Sequence, residues 1–301
     1  MTPDRKPLDA LAFGLMTVLC IAWGLQQVTI KIASSDVSLV MQAGIRSTIA
    51  TALLLVWANV RGLPLFRRDG TLWPGLAAGA LFAAEFVFIY AGLAYTAASR
   101  MIVFIYTTPC FTALMLPLFV RSERLNGRQW AGVLLAFAGI AAAFAEGFVS
   151  AKGATLIGDL CGVIAAFLWA STIVVIRATG LARTSATKTL FYQLAVSAAA
   201  LPIVSVAMGE PGIVHVTPLA IAILAYQGVL VAFASYLAWF WLLTKYFAAR
   251  LSVFTSLTPL FGVAFGVLLL GEQISTAFVL AALLVAGGIV LVNWSGRARR
   301  Q

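Results

Sequence analysis

The chain has 301 residues, 62% of them hydrophobic and 10% charged, with a mean hydropathy of +1.01. A soluble domain carries roughly 25% charged residues, so a water-soluble globular fold is excluded. The formal net charge of +10 invites a nucleic-acid partner, but the basic residues sort into the short connections between apolar runs, which excludes that class.

Ten apolar stretches fill the chain, near residues 9 to 31, 38 to 60, 72 to 95, 98 to 120, 128 to 146, 155 to 177, 186 to 207, 218 to 243, 248 to 270 and 275 to 294. About 20 helical residues at ~1.5 Å each cross a hydrocarbon core of ~30 Å. The runs are continuous rather than alternating, which predicts helices and not barrel strands. The first run exceeds a signal peptide's apolar region and ends in Gln26, Gln27 and Lys31 without a small-residue cleavage site, so it is read as a retained helix.

Taken in order, the spans hold few polar groups, and each asks for a reason because an ionisable residue at a helix centre costs ~2.5–3.5 kcal/mol. Helix 1 carries Trp23, Gln26 and Gln27 near its middle, and Lys31 where its amine snorkels to the interface. Arg46 lies about eight residues into helix 2, ~12 Å deep, either snorkelling or paired with an acid. In helix 3, Glu85 shares a face with Phe82, Phe86, Ile89 and Tyr90. It either meets a substrate amine or coupling proton, or is a packed carboxyl that holds helices together. Pro109 in helix 4 and Pro259 in helix 9 each delete a backbone bond, freeing the carbonyls of Ile105 and Thr255. They are expected to act as hinges beside a cavity, or as inert kinks, with Thr107, Thr108, Thr255, Ser256 and Thr258 placed to satisfy the freed groups.

The remaining mid-span candidates are Tyr106, Trp169 and Thr172, Gln193, and Tyr236, Trp239 and Phe240 on one face of helix 8. The aromatics either line a pocket or fill a core. The glutamines and Thr172 either orient a zwitterion or bond helix to helix. Trp57, Trp73, Trp130, Trp241 and Trp294 lie near span ends, where tryptophans form interfacial belts. The Gly75/Gly79, Gly158/Gly162 and Gly262/Gly266 steps read as close packing, and Glu123 and Glu272, just beyond spans, as caps or interfacial partners. Cys20, Cys110 and Cys161 sit inside spans without ligand spacing, so neither a metal nor a disulfide framework is expected.

With the N-terminus inside, 16 of the 20 Lys and Arg residues fall on cytoplasmic segments and only Lys31, Arg100 and Lys152 on the other side. The positive-inside rule therefore predicts that both termini are cytoplasmic.

The chain also repeats itself. Residues 98 to 112 laid over 248 to 262 match Arg100 with Arg250, Val103 with Val253, Phe104 with Phe254, Thr108-Pro109 with Thr258-Pro259 and Phe111 with Phe261. After a one-residue shift Glu123 meets Glu272 and Gly139 meets Gly288; Trp23 meets Trp169 and Lys31 meets Arg177. Two units are expected, 1–148 and 149–301. Five spans each is an odd number, so the second unit enters the membrane from the opposite side, giving two inverted five-helix repeats able to rock around a midplane site. One chain then supplies both pseudo-symmetric halves, so a monomer suffices.

The order Ala97, Ala98, Ser99, Arg100, then Pro109, Glu123, Gly132 and Gly139, repeated in part as Ala248, Ala249, Arg250, Pro259, Glu272 and Gly288, resembles the EamA group of the drug/metabolite transporter superfamily. Ala281 stands where Gly132 has its counterpart, a departure that bears on the packing of helix 10. The segment Arg100, Phe104, Tyr106, Thr107, Thr108, Pro109 and the aromatic richness are most similar to YddG-type exporters of aromatic amino acids. The resemblance implies a ten-helix transporter of the bacterial inner membrane.

The expected protein is therefore an all-α multi-pass membrane transporter without a cofactor. It would export a small metabolite by alternating access, aromatic amino acids first. Its expected substrate site comprises Trp23, Gln26, Gln27, Glu85, Tyr90, Tyr106, Thr107, Trp169, Thr172, Tyr236, Trp239 and Thr255, with Pro109 and Pro259 as hinges. Export of other metabolites or cationic drugs, and a scaffold or receptor without transport, stay open beside it. An enzyme is not expected: no HExxH, GxSxG or Walker A pattern occurs, and the single histidine, His215, falls in a connection.

Overall fold

The structure, a computed structural model, describes residues 9–120, 125–149, 153–246, 251 and 254–293. Among these the chain is helical, and an isolated β-bridge joins Val37 to Ile213. In chain order the helices are α1 (Ala10–Ile32), α2 (Leu39–Val60), α3 (Leu72–Gly92), α4 (Ala98–Ile105), α5 (Thr108–Phe119), α6 (Gly127–Val149), α7 (Gly153–Ala178), α8 (Ala186–Ala207), α9 (Pro218–Ala225), a π-helical segment (Tyr226–Ser235), α10 (Tyr236–Lys245), α11 (Thr258–Leu270) and α12 (Thr276–Asn293).

Among the described residues, eight stretches are long and apolar enough to cross a bilayer; Ala98–Phe119 joins α4 and α5, and Pro218–Lys245 joins α9, the π segment and α10. α11 and α12 are apolar but shorter. The expected start of span 9 falls largely on residues 248–250 and 252–253, outside the described residues, as do Glu123 and Trp294.

Helix starts follow local chemistry. Asp9 accepts from the Ala12 amide at 2.9 Å to cap α1, and Thr217 caps α9 ahead of Pro218, whose missing N–H costs nothing in the first turn. The same rule corrects the proline expectation. Pro109 and Pro259 do not kink running helices; each stands in the first turn of a new one, after breaks at Tyr106–Thr107 and Ser256–Leu257. The carbonyl of Ile105 is taken by the Thr108 hydroxyl at 2.6 Å, so the break leaves no orphan there. The prolines inside helices are others, Pro117 in α5 and Pro202 in α8.

The seams between helices are set by small residues. A Cβ on Gly132 would lie 2.7 Å from the Gly288 carbonyl oxygen, and one on Gly139 2.7 Å from that of Ala281, so α6 and α12 meet backbone to backbone. Ala281 therefore costs the seam nothing: the glycine opposite provides the space. Gly24 and Gly262 do the same for α1 and α11.

Polarity runs opposite to that of a soluble protein. Val60, Leu118 and Leu268 are 79%, 78% and 76% exposed, while Arg46, Gln42 and Gln227 are fully buried. Outward apolar and inward polar faces fit a lipid solvent around a polar interior. Trp73 and Trp130 are exposed near helix ends, as belt residues would be.

Candidate substrate site

The interior polar groups converge where α2, α3 and the π segment meet. Arg46 does not snorkel. It is fully buried, its guanidinium carbon lies 4.2 Å from the Phe86 ring centroid, and its Nη2 donates to the Tyr236 hydroxyl at 3.2 Å. Nor does it close on an acid: no carboxylate lies within 4.0 Å of it among the described residues, and its Nε and Nη1 have no hydrogen-bond partner. Glu85, next to Phe86 on α3, is 4% exposed, and its Oε2 is likewise unpartnered.

A chain of amides frames this pair. The Tyr90 hydroxyl donates to Gln227 Oε1 at 2.9 Å, and Gln227 Nε2 donates to Gln42 Oε1 at 3.2 Å. Gln42 Nε2 in turn donates to the carbonyls of Ile30 and Val37. Gln227 reaches its partners from the π-helical stretch, a wide turn that recurs at functional sites. Arg46, Gln42 and Gln227 were missing from the expected site. Arg46 stood out in sequence by its depth, whereas an amide pair 185 residues apart leaves no local signal.

The expected residues divide. Tyr90 and Tyr236 join the Arg46 cluster, and Tyr106 packs edge-on against Trp169 with ring centroids 6.1 Å apart, against the same apolar core. Trp23 and Trp239 pair edge-on at 5.9 Å beside a second core, tied to the first because Trp23 Nε1 donates to Ser235 Oγ at 2.8 Å. Gln26 and Gln27 are buried on α1, with Gln27 Oε1 unpartnered. Thr107, in the break after α4, bonds back to the Phe104 carbonyl, Thr172 bonds to the Leu168 carbonyl in its own helix, and Thr255 is half-buried at the break before α11.

The two ends of the bundle differ. At the end away from the basic connections, Arg100 bonds to both carboxylate oxygens of Asp159, to Glu146 and to the Ala143 carbonyl. Thr96 donates to the same Asp159, and Lys31 Nζ donates to the Thr96 carbonyl at 2.7 Å. Glu272, in the connection between α11 and α12, accepts from the amides of Ala98 and Ser99 and caps α4, and Glu210 accepts from those of Val40 and Met41, capping α2. At the basic end, Lys188 donates to Asp69 at 2.8 Å and to the Arg67 carbonyl. Lys188 and Thr71 hold the Asp69 carboxyl well below the usual carboxylate range. A cleft of about 460 Å³ opens at this end between α7, α8 and α10. It is lined by Ile176, Gln193 and Phe240 among others, and Phe240 is one helical turn from Tyr236.

Residues 10–145 and 156–294 each match the family model described as the EamA-like transporter family. The chain belongs to that family. It is a multi-pass membrane transporter and not an enzyme. It is similar to an "Uncharacterized transporter" of Archaeoglobus fulgidus, 27% identical over 285 residues, 93% of this chain and 96% of that one. It is also similar to the "Probable amino-acid metabolite efflux pump" of Escherichia coli, 24% identical over 296 residues, 95% of this chain and 96% of that one. One protein crystal structure matches at a TM-score of 0.65 and 18% identity, covering 92% of this chain and 95% of that one, which shows a shared fold.

Proposed function

We propose that this transporter exports small zwitterionic or amphipathic metabolites, aromatic amino acids first, across the inner membrane by alternating access. The cluster of buried Arg46, Glu85 and Tyr90 with half-buried Tyr236, aromatic rings packed around it, and a cleft at the basic end support this reading. Aromatic faces stack a side chain, and the glutamines and Glu85 address a polar head. The Escherichia coli relative's name points to the same substrate class.

The transport cycle is read as two inverted five-helix repeats making ten spans, with both termini cytoplasmic. Support comes from the two family matches, one per half, and from helix pairing. Helix α2 packs on α8, and α6 on α12, which are the repeat mates a pseudo-two-fold axis brings together. In that topology the cleft faces the cytoplasm, the side from which an exporter loads.

Purified protein in liposomes loaded with labelled Trp, Phe, Leu or Lys tests the reading. Selective efflux of Trp and Phe is expected, and a response to an imposed proton gradient would assign Glu85 a coupling role. No efflux of any of the four from folded protein would overturn the substrate assignment. Alanine at Glu85, Tyr90, Trp169 and Trp239 is expected to lower transport at normal expression; four unchanged variants would displace the site.

A further inference from the structure

A guanidinium is ionised at any physiological pH, and burying it without a counter-charge costs several kcal/mol. Arg46 is in that position. Its Nε and Nη1 have no hydrogen-bond partner in the geometry, and Nη2 donates to the neutral Tyr236 phenol. No ion pair joins it to Glu85 among the described residues, and Glu85 presents a buried oxygen without a donor. The scaffold keeps them so. Phe86 backs the guanidinium plane, Tyr236 fixes one corner, and the bonds from Tyr90 through Gln227 and Gln42 to two backbone carbonyls brace the surrounding helices.

Resting on the amino-acid reading above, we propose that Arg46 takes the carboxylate and Glu85 the ammonium of a free α-amino acid, so that the site selects an intact zwitterionic head. Each buried charge then acquires an opposite partner, and the ligand brings no net charge into the interior. An amine without a carboxylate leaves Arg46 unpaired and is repelled by it. An acid without an amine does the same at Glu85. A lipophilic cation meets the first penalty in full, so one arginine separates amino acids from cationic drugs.

Binding to the purified, full-length protein is measured by competition against labelled Phe. The competitors are unlabelled Phe, Trp and Leu, phenethylamine, which lacks the carboxylate, 3-phenylpropionate, which lacks the amine, and phenylalanine methyl ester. Loss of either head charge is expected to weaken binding about 10- to 100-fold, the scale of a charge-assisted hydrogen bond. This panel runs on the unaltered protein and assumes nothing about folding of variants. In Arg46→Gln the penalty on phenethylamine and the ester is expected to vanish. In Glu85→Gln the penalty on 3-phenylpropionate vanishes instead, and Arg46→Lys keeps part of the discrimination.

Phenethylamine competing as well as Phe, in protein that transports Phe, would overturn the head-recognition proposal and leave the exporter reading standing. Leu binding as tightly as Phe with the same head requirement would support the proposal and end only the aromatic preference. No binding of labelled Phe and no efflux of any amino acid from folded protein would overturn both.

Discussion

The two ends of this bundle are closed by different chemistry. Away from the basic connections, a buried arginine is shared by Asp159 and Glu146, and two further carboxylates cap α2 and α4 from the connections after α8 and α11. At the basic end Lys188, with its side chain 4% exposed, bonds to Asp69 beside an open cleft, and the Asp69 side chain is 31% exposed where that of Asp159 is 0%. Buried ion pairs are costly to break because the survivor keeps its charge without water, whereas a half-exposed pair exchanges its partner for solvent at little cost. The network at the first end joins more charged groups than the Lys188–Asp69 pair, and the cleft lies at the basic end.

The largest break in that contrast is Arg100→Ala. It strands the Asp159 carboxylate with only Thr96 beside it, and a loss of about 3–5 kcal/mol is expected in denaturation of the detergent-solubilised protein. A loss no greater than that of Lys188→Met would remove the distinction between the ends. Glu272→Gln keeps the shape but weakens the cap on α4, at about 1 kcal/mol, read from the same denaturation curves. The smallest effect belongs to Asp69→Asn, and its pH dependence sharpens the comparison. Because the folded-state carboxyl titrates below its ordinary value of 3.8, its contribution is complete at neutral pH and fades as pH falls below that value. The melting temperatures of wild type and Asp69→Asn should therefore differ slightly at pH 7 and converge toward pH 3. A gap that widens on acidification would contradict the assigned role.

Much of the fold was legible because its main determinant is local: twenty apolar residues in a row specify a helix whatever they pack against. Glu272 was legible as a cap from its place just after a span, although its target, α4, lies 174 residues away. Prolines 109 and 259 marked real interruptions but misled on their form, because a proline in the first turn and one in the interior look alike until the threonine that takes the freed carbonyl is seen. The π-helical stretch Tyr226–Ser235 left no mark, for no Pro interrupts it and its width accompanies long-range bonds from Gln227. Arg46 was conspicuous, but the expectation was that it would either snorkel or pair with an acid. The partner it has, Tyr236, is 190 residues distant and uncharged, so charge matching along the sequence had nothing to find.

The most direct test of the central claim is an experimental structure of the protein with Trp or Phe bound. The account predicts the ligand's carboxylate at Arg46, its ammonium at Glu85 and its ring among Tyr90, Tyr236 and the Tyr106–Trp169 pair. A ligand bound away from these residues, with Arg46 and Glu85 closed on each other in a salt bridge, would contradict it.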